Sequence, residues 1–232
     1  MHPVLFKFGP VTIYTYGVMV FTGAMASYFY SLKVSPRFAL SREFVSDLFF
    51  WSVIFGFLGA RITYILLDIP GFIADPSVYI FTGSGFVFFG GMFSGALTVY
   101  WYSRKNKRNI ADVCDMAAPC IALAHAFGRI GCFFYGCCYG HEHLFIPVQL
   151  LSSLCLFILF VFLELFSRKR PFSGSVACAY LILYGVLRFS IEFLRADPRG
   201  FYGPFSTSQW FSLFAVAAGV FIVFLHCKAK QK

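Results

Sequence analysis

Long apolar runs alternate with short basic segments along most of this chain. A transmembrane helix needs about 20 mainly apolar residues, and seven windows meet that requirement. The pattern therefore predicts an all-α, polytopic membrane protein of about seven transmembrane helices, forming a single transmembrane domain over residues 1–232. The predicted spans are residues 11–32, 44–67, 83–102, 114–135, 147–166, 175–194 and 207–227.

The basic residues divide unevenly between the two sets of loops that join these spans. One set, together with the C-terminal tail, holds thirteen of them, and the other holds only Lys7, Arg195 and Arg199. Because Lys and Arg concentrate on the cytoplasmic side, this division predicts an external N-terminus and a cytoplasmic C-terminus. The thirteen are Lys33, Arg37, Arg42, Arg104, Lys105, Lys107, Arg108, Arg168, Lys169, Arg170, Lys228, Lys230 and Lys232.

The composition favours a membrane protein over a nucleic-acid-binding one. Apolar residues make up 59% of the chain and charged residues only 12%, although the net charge is +9. A nucleic-acid partner would require the basic residues to share one solvated face. They are spread over several short loops instead, so we expect membrane lipid and no nucleic acid as a partner.

Three arginines fall inside predicted helices: Arg61, Arg129 and Arg188. An arginine in the bilayer costs several kcal/mol by insertion scales unless it faces a polar or wet interior. Each lies toward the C-terminal end of a span that runs outward, so all three are predicted in the outer half of the membrane. Glu192 is four residues after Arg188, which places both on one helix face. This pair either neutralises itself or supports a site for phosphate or carboxylate, which paired arginines bind well.

Other polar or small residues are predicted in the same outer layer. The odd-numbered spans run inward and place their early residues there. We therefore expect one site that opens toward the external leaflet. These additional site residues are Tyr16, Gly90, Gly91, Gln149 and Gln209.

The fourth window is the weakest span, because it carries Asp115, His125 and Arg129. His125 lies four residues before Arg129, so it either lines the site or packs between helices.

Three cysteines cluster after Arg129, at Cys132, Cys137 and Cys138. The chain has no paired Cys-x-x-Cys motifs with metal-ligand spacing, so we expect neither a metal nor a cofactor. A thiol-redox membrane enzyme remains as a third hypothesis.

The segment Gly128-Arg129-Ile130-Gly131…Gly136…Tyr139-Gly140 resembles the signature of the prolipoprotein diacylglyceryl transferase family. Further stretches resemble the same family in the same order along the chain. They are Gly9-Pro10…Tyr16-Gly17, Gly59-Ala60-Arg61, Ala74-Asp75-Pro76, Gly90-Gly91, Pro147-x-Gln149-Leu150, Tyr184-Gly185…Arg188…Glu192-Phe193…Arg195 and Ser208-Gln209.

The resemblance implies a reaction and roles for several residues. It implies transfer of the diacylglyceryl group of phosphatidylglycerol to the lipobox cysteine of a prolipoprotein signal peptide, in a bacterial inner membrane. Arg129 and Arg188 would bind the lipid phosphate, and Glu192 would support them. Tyr16 would line the site and Gly140 would close the signature.

The chain departs from the family pattern at several polar positions. Cys132 stands in place of an asparagine, Cys137 in place of a glutamate and Phe89 in place of a histidine. The Gln-Leu-Tyr-Glu run is Gln149-Leu150-Leu151-Ser152, and the external segment after the fourth span is cut to about 140–146. The chain is thus a divergent member by resemblance. A non-catalytic phospholipid-binding or transport protein is the alternative function.

Overall fold

The computed structural model describes residues 3–9, 11–81, 85–141, 145–197 and 200–230 and is mostly helical. Seven of its helices are long, and two short helices and two small antiparallel sheets accompany them within the described ranges. A 3-10 turn, Ser35–Phe38, follows the first helix. In chain order the elements are β1 (Val4–Phe8), β2 (Val11–Tyr14), α1 (Thr15–Val34), α2 (Arg42–Leu67), α3 (Ile69–Ala74), α4 (Pro76–Phe81), α5 (Phe88–Lys105), α6 (Ile110–Tyr135), α7 (Val148–Lys169), α8 (Ser175–Glu192), β3 (Phe201–Tyr202), β4 (Phe205–Ser206) and α9 (Thr207–Lys230).

Each predicted span coincides with one long helix, and five of those helices are long and apolar enough to cross a membrane. The five are α2, α6, α7, α8 and α9. Large apolar side chains lie exposed on the helices, and Phe93 and Phe214 are 72% and 73% exposed. Apolar surface of that extent suits contact with lipid and not with water. The protein is therefore a multi-pass membrane protein.

Three span boundaries were wrong. Residues 11–14 form β2, which pairs with β1 in a hairpin, because Gly9 takes a left-handed φ of 57° and the β-branched Val11-Thr12-Ile13 run favours a strand. Residues 85–87 precede α5 without forming a helix, and Gly85, with φ of 84°, is a poor helix former. The remaining residues of that window's start, 83 and 84, lie outside the described ranges. Residues 193–194 form a turn after α8.

The chain divides into two compact units. The first comprises Met1–Phe38 and Cys114–Lys232, and the second comprises Ala39–Val113. In the first, Ala118, Ala122 and Ala126 recur every four residues along α6 and form one small-residue face. Leucines of α7 and Val176 of α8 pack against that face in a buried core. Small side chains let the helices approach closely.

Asp115 is fully buried near the start of α6 and serves the N-terminus of α8. Its carboxylate accepts hydrogen bonds from the backbone N–H of Gly174 at 2.7 Å and of Ala177 at 2.8 Å. The first N–H groups of a helix have no partner within the helix. Asp115, one of the polar residues that made the fourth window the weakest predicted span, therefore caps α8.

The second unit is organised by the contact of α2 with α5. A Cβ added at Gly90 would lie 2.7 Å from the carbonyl oxygen of Gly59, and one added at Gly91 would lie 3.0 Å from that of Gly56. Real Cβ atoms essentially never come within 3.0 Å of a non-bonded heavy atom, so Gly90 leaves no room for a side chain. A side chain at position 91 would fit only if its neighbours moved by a few tenths of an ångström.

Candidate functional site

The signature segment continues α6 into a turn that folds back on the helix end. The N–H of Cys137 donates to the carbonyl of Cys132 at 3.2 Å, and the N–H of Gly136 donates to that of Phe133 at 3.2 Å. Gly136 takes a left-handed φ of 83°. This pair of bonds with a left-handed glycine is the Schellman motif. It returns Cys137 to the last turn of α6, where its Sγ lies 3.8 Å from the Cys132 carbonyl oxygen.

The residues after the turn are held by the loop that follows α8. Cys138 also adopts a positive φ, 61°, and Gly140 then pairs with Arg195 in an isolated antiparallel bridge. The N–H of Ala196 donates to the Tyr139 carbonyl at 3.1 Å. From α7, the buried Gln149 donates its side-chain N–H to the Cys137 carbonyl at 2.9 Å. Residues 137–141 are therefore held both by the loop after α8 and by α7.

These constraints bring three thiols together. The Sγ atoms of Cys132, Cys137 and Cys138 all lie within 4.8 Å of one another, and each side chain is partly buried. A hydrogen bond from Cys132 and the neighbouring guanidinium of Arg195 lower the pKa of the Cys138 thiol.

Arg129 lies on α6 one turn before Cys132 and is half-buried. Among the residues that the structure describes, its guanidinium has no hydrogen-bond or ion-pair partner. It is near enough to interact electrostatically with Arg188 and His125. Tyr16 of α1 packs against Gly131, where an added Cβ would lie 3.1 Å from the tyrosine ring. The predicted residues Tyr16, His125, Arg129 and Arg188 thus meet in one unit.

Arg188 and Glu192 form the ion pair that their spacing predicts. Arg188 Nη1 lies 2.6 Å from Glu192 Oε2, and both side chains are largely buried. The other carboxylate oxygen accepts from the Ser206 hydroxyl at 2.7 Å, and Ser208 also bonds this carboxylate. Glu192 is therefore held on both sides.

Ser206 belongs to a capping box at the start of α9. The backbone N–H of Ser206 donates to Gln209 Oε1 at 2.9 Å, and the N–H of Gln209 donates to the Ser206 hydroxyl oxygen at 3.3 Å. The Ser-x-x-Gln spacing is the sequence signature of this motif. Gln209 is 4% exposed and Gln149 3%, so both predicted glutamines position neighbours of the site.

Arg195 lies at the site, although the distribution of charge grouped it with the basic residues of the loops. Its side chain is 2% exposed and makes a two-pronged ion pair with Asp197, at 2.9 and 3.0 Å. Its guanidinium also bonds the Cys138 sulfur. The family resemblance already included Arg195, and the Arg-x-Asp spacing signals its pair with Asp197. Ser206 is signalled in the sequence by the Ser-x-x-Gln spacing of its capping box.

His125 stacks obliquely on Tyr184, with ring centroids 5.5 Å apart. This contact fits the helix-packing interpretation, although the histidine also lies near Arg129 and Arg188. The packing contact and the nearby arginines are compatible with both predicted roles of His125.

Three further predicted residues, Arg61, Gly90 and Gly91, belong to the second unit. Arg61 donates to the Gly85 carbonyl at 3.2 Å, and its guanidinium lies 5.1 Å from the ring centroid of Phe86. Gly90 and Gly91 lie at the crossing of α2 and α5. Each of the three therefore has a packing role within its own unit.

The ionic groups of the first unit leave the site positively charged. Arg129, Arg188 and Arg195 carry three positive charges, and Glu192 and Asp197 carry two negative charges. Guanidinium groups bind phosphate oxygens in pairs of charge-assisted hydrogen bonds. One singly charged phosphodiester would neutralise the remaining positive charge, and Arg129 could donate hydrogen bonds to it.

Sequence comparison identifies relatives over almost the whole chain. A family model described as prolipoprotein diacylglyceryl transferase matches residues 3–225. A Clostridium tetani protein named phosphatidylglycerol–prolipoprotein diacylglyceryl transferase is 38% identical over 243 residues, covering 96% of each chain. A Clostridium perfringens protein named as transferase 2 of the same kind is 34% identical over 96% of this chain and 94% of its own. An Aeromonas salmonicida protein with the first name is 32% identical over 99% and 91%.

Proposed function

Because this chain belongs to the prolipoprotein diacylglyceryl transferase family, we propose that it transfers the diacylglyceryl group of phosphatidylglycerol to the lipobox cysteine thiol of a prolipoprotein. The sulfur of that cysteine forms a bond to the glyceryl carbon, and the bond from this carbon to the phosphate oxygen breaks. Glycerol phosphate leaves with the electron pair of the broken bond. Negative charge therefore grows on the phosphate during the reaction.

The observation that carries this proposal is the guanidinium of Arg129, which no described residue pairs with, near the Arg188–Glu192 ion pair. We assign Arg129 and Arg188 to the lipid phosphate, because preplaced cations stabilise charge that develops in a transition state. Glu192 holds Arg188 in place. Its carboxylate is already bonded to Arg188 and Ser206, which supports a positioning role over that of a base.

The remaining predicted residues are assigned to substrate binding or to its support. Tyr16 lines the site over Gly131, and Gly140 fixes the external segment through its bridge with Arg195. Gln149 and Gln209 position their neighbours, and His125 packs beside the arginines. We also propose a substrate-binding role for Arg61, Gly90 and Gly91.

We place the protein in a bacterial inner membrane as one transmembrane domain of seven spans, with the N-terminus outside and the C-terminus in the cytoplasm. The thirteen basic residues of one set of loops and tail support this orientation. The outer half of the membrane then holds the signature, where phosphatidylglycerol and a translocated prolipoprotein signal peptide both have access.

The test is a transfer assay with the full-length protein in detergent, phosphatidylglycerol labelled in its glycerol head group and a lipobox peptide. We expect Arg129→Ala to lower kcat by about 10²- to 10³-fold, as for removal of a transition-state donor. Arg104→Ala, in the last turn of α5, is the matched control and should transfer normally. Unchanged glycerol phosphate release by Arg129→Ala would contradict the assignment.

A non-catalytic lipid-binding or transport protein is the second candidate, favoured by the fully bonded state of Glu192. Such a protein would retain labelled phosphatidylglycerol in an Arg129-dependent manner without releasing glycerol phosphate. Complementation of a bacterial strain that lacks its own transferase separates the two functions, because only the enzyme restores growth.

A further inference from the structure

The proposed phosphate site does not use the three thiols that cluster at the C-terminal end of α6. Cys132 lies in the last turn of α6, and the Schellman motif brings Cys137 back into contact with Cys132. The positive φ of Cys138 then directs the chain so that the third sulfur joins the other two within 4.8 Å. Within the described residues, no other group of three histidine, cysteine or acidic side chains converges in this way.

We propose that Cys132, Cys137 and Cys138 bind a Zn²⁺ ion whose fourth coordination position takes the acceptor cysteine of the prolipoprotein. The assignment of that fourth ligand rests on the proposed transferase function, whereas the metal site itself rests on the cluster alone. Thiolates are the soft ligands that Zn²⁺ accepts in proteins. Zinc sites with three protein ligands leave one position for a reacting group.

The sulfur geometry fits a zinc ion after a small contraction. Zn–S bonds are about 2.3 Å long, so tetrahedral sulfur ligands lie about 3.8 Å apart. The three Sγ atoms already lie within 4.8 Å of one another. The backbone that carries them is held by the turn, by the Gly140–Arg195 bridge and by the Gln149 hydrogen bond to the Cys137 carbonyl. This outer support keeps the ligands in place before any ion arrives.

The surrounding charge suits an anionic metal complex. Zn²⁺ with three thiolates carries a charge of −1, and a fourth thiolate makes it −2. The guanidinium of Arg195 contacts the Cys138 sulfur, and Arg129 interacts electrostatically with it. Both guanidinium groups attract the negative charge of the four-thiolate complex, which favours binding of the acceptor as its anion.

The position of the cluster also suits the transfer. Cys132 follows Arg129 by three residues, and side chains with that spacing share one face of a helix about 5–6 Å apart. The metal-bound sulfur would therefore lie next to the phosphate that Arg129 binds. Nucleophile and leaving group are then held on the two sides of the glyceryl carbon by neighbouring groups of one helix.

The reaction balances without any redox change. The acceptor thiol gives its proton to water when it binds the ion, and its sulfur lone pair forms the S–C bond. The C–O bond breaks, and its electron pair leaves on glycerol phosphate beside Arg129 and Arg188. The thioether product is a weaker ligand than a thiolate and departs, while the ion keeps its three cysteines.

Our expectation that the chain binds no metal rested on the lack of paired Cys-x-x-Cys motifs and of histidines that complete such a site. The spacing Cys132-x₄-Cys137-Cys138 also brings several cysteine sulfurs together, because the turn folds the chain back over the end of α6. Adjacent cysteines then serve one ion through the left-handed conformation of Cys138.

The first experiment measures the ion without using activity. The full-length protein, purified in detergent with a histidine-free tag, is reduced, treated with chelator and titrated with Zn²⁺. We expect one zinc per chain by elemental mass spectrometry, and a thiolate-to-metal charge-transfer band when Co²⁺ replaces it. Cys132→Ser, Cys137→Ser and Cys138→Ser should each weaken binding more than about tenfold, since removing a ligand costs at least as much as removing its outer support.

Cys155→Ser, in the middle of α7, is the matched control and should bind Zn²⁺ like the unmodified protein. Correct folding of each variant is checked by its monodisperse elution and thermal transition. Zinc binding that survives all three cluster substitutions would overturn the site. So would a disulfide within the cluster that persists in the zinc-treated protein.

The second experiment tests the acceptor role in the transfer assay. Chelation should slow transfer at least tenfold and added Zn²⁺ should restore it, with the largest effect on the KM for the lipobox peptide. Transfer that proceeds equally with and without zinc would overturn the acceptor role and leave the transferase function standing. Cluster-dependent zinc binding in a protein that never transfers would overturn the proposed function and retain the metal site.

Discussion

At the residue scale, Glu192 shows how one carboxylate joins the site to the fold. One oxygen accepts a hydrogen bond from Arg188 and the other accepts one from Ser206, the residue that caps α9. The first contact follows from the i, i+4 spacing and was predictable from the sequence. The hydrogen bond to Ser206 joins residues 14 apart across a loop, and no periodic pattern in the sequence predicts it.

Replacing Glu192 by Gln tests this positioning role. The amide retains its shape but loses the charge that opposes Arg188, and a hydrogen bond to a charged group contributes about 1.5–3 kcal/mol. We expect a fall of about tenfold or more in kcat/KM for phosphatidylglycerol, with the KM for the acceptor peptide little changed. Glu43→Gln, exposed in the first turn of α2, is the control. A variant with normal kinetics would show that Arg188 needs no partner.

At the element scale, the crossing of α2 and α5 depends on glycine at selected positions. Gly90→Ala places a Cβ 2.7 Å from the Gly59 carbonyl oxygen, whereas Gly95→Ala on the same helix places one 3.9 Å from that of Ser52. Overpacking of this kind costs about 1–3 kcal/mol. We expect a lower Tm for Gly90→Ala in detergent and an unchanged one for Gly95→Ala. Equal Tm values for the two variants would show that α2 and α5 can move apart to accept the added methyl group.

The cap on α8 gives a second prediction at this scale. Asp115→Ala leaves the N–H groups of Gly174 and Ala177 without their acceptor in a buried place, which costs about 1–3 kcal/mol. Asp115→Asn keeps one acceptor oxygen and should lose less. Thermal unfolding of both variants measures the difference, and an alanine variant as stable as the asparagine variant would argue against the cap.

Secondary structure was predictable from the sequence wherever hydropathy decides it. The seven long helices coincide with the seven apolar windows because a spanning helix requires a long apolar run. The β1–β2 hairpin was missed because its residues are as apolar as a helix, and only Gly9 and the β-branched run distinguish it. The convergence of three cysteines was missed for a similar reason, since the backbone conformation at Gly136 and Cys138 creates it.

At the scale of the whole molecule, the charge pattern predicts which loops face the cytoplasm. A green fluorescent protein fused after residue 230 should fluoresce, because it folds only on the cytoplasmic side. Alkaline phosphatase fused after residue 70, in the segment between α2 and α5, should be active, because it folds only outside. Phosphatase fused after residue 107 is the control and should be inactive. The reverse pattern would invert the proposed topology.

The capping box at Ser206 narrows the range of residues that evolution can place there. Helix starts in general accept Ser, Thr, Asp or Asn, since each offers an oxygen to the helix. Here the same side chain must also donate a hydrogen bond to the Glu192 carboxylate. Asp would face that carboxylate with a second negative charge, which leaves Ser, Thr and Asn. Related sequences that carry Asp at this position should therefore also have lost the glutamate or its arginine.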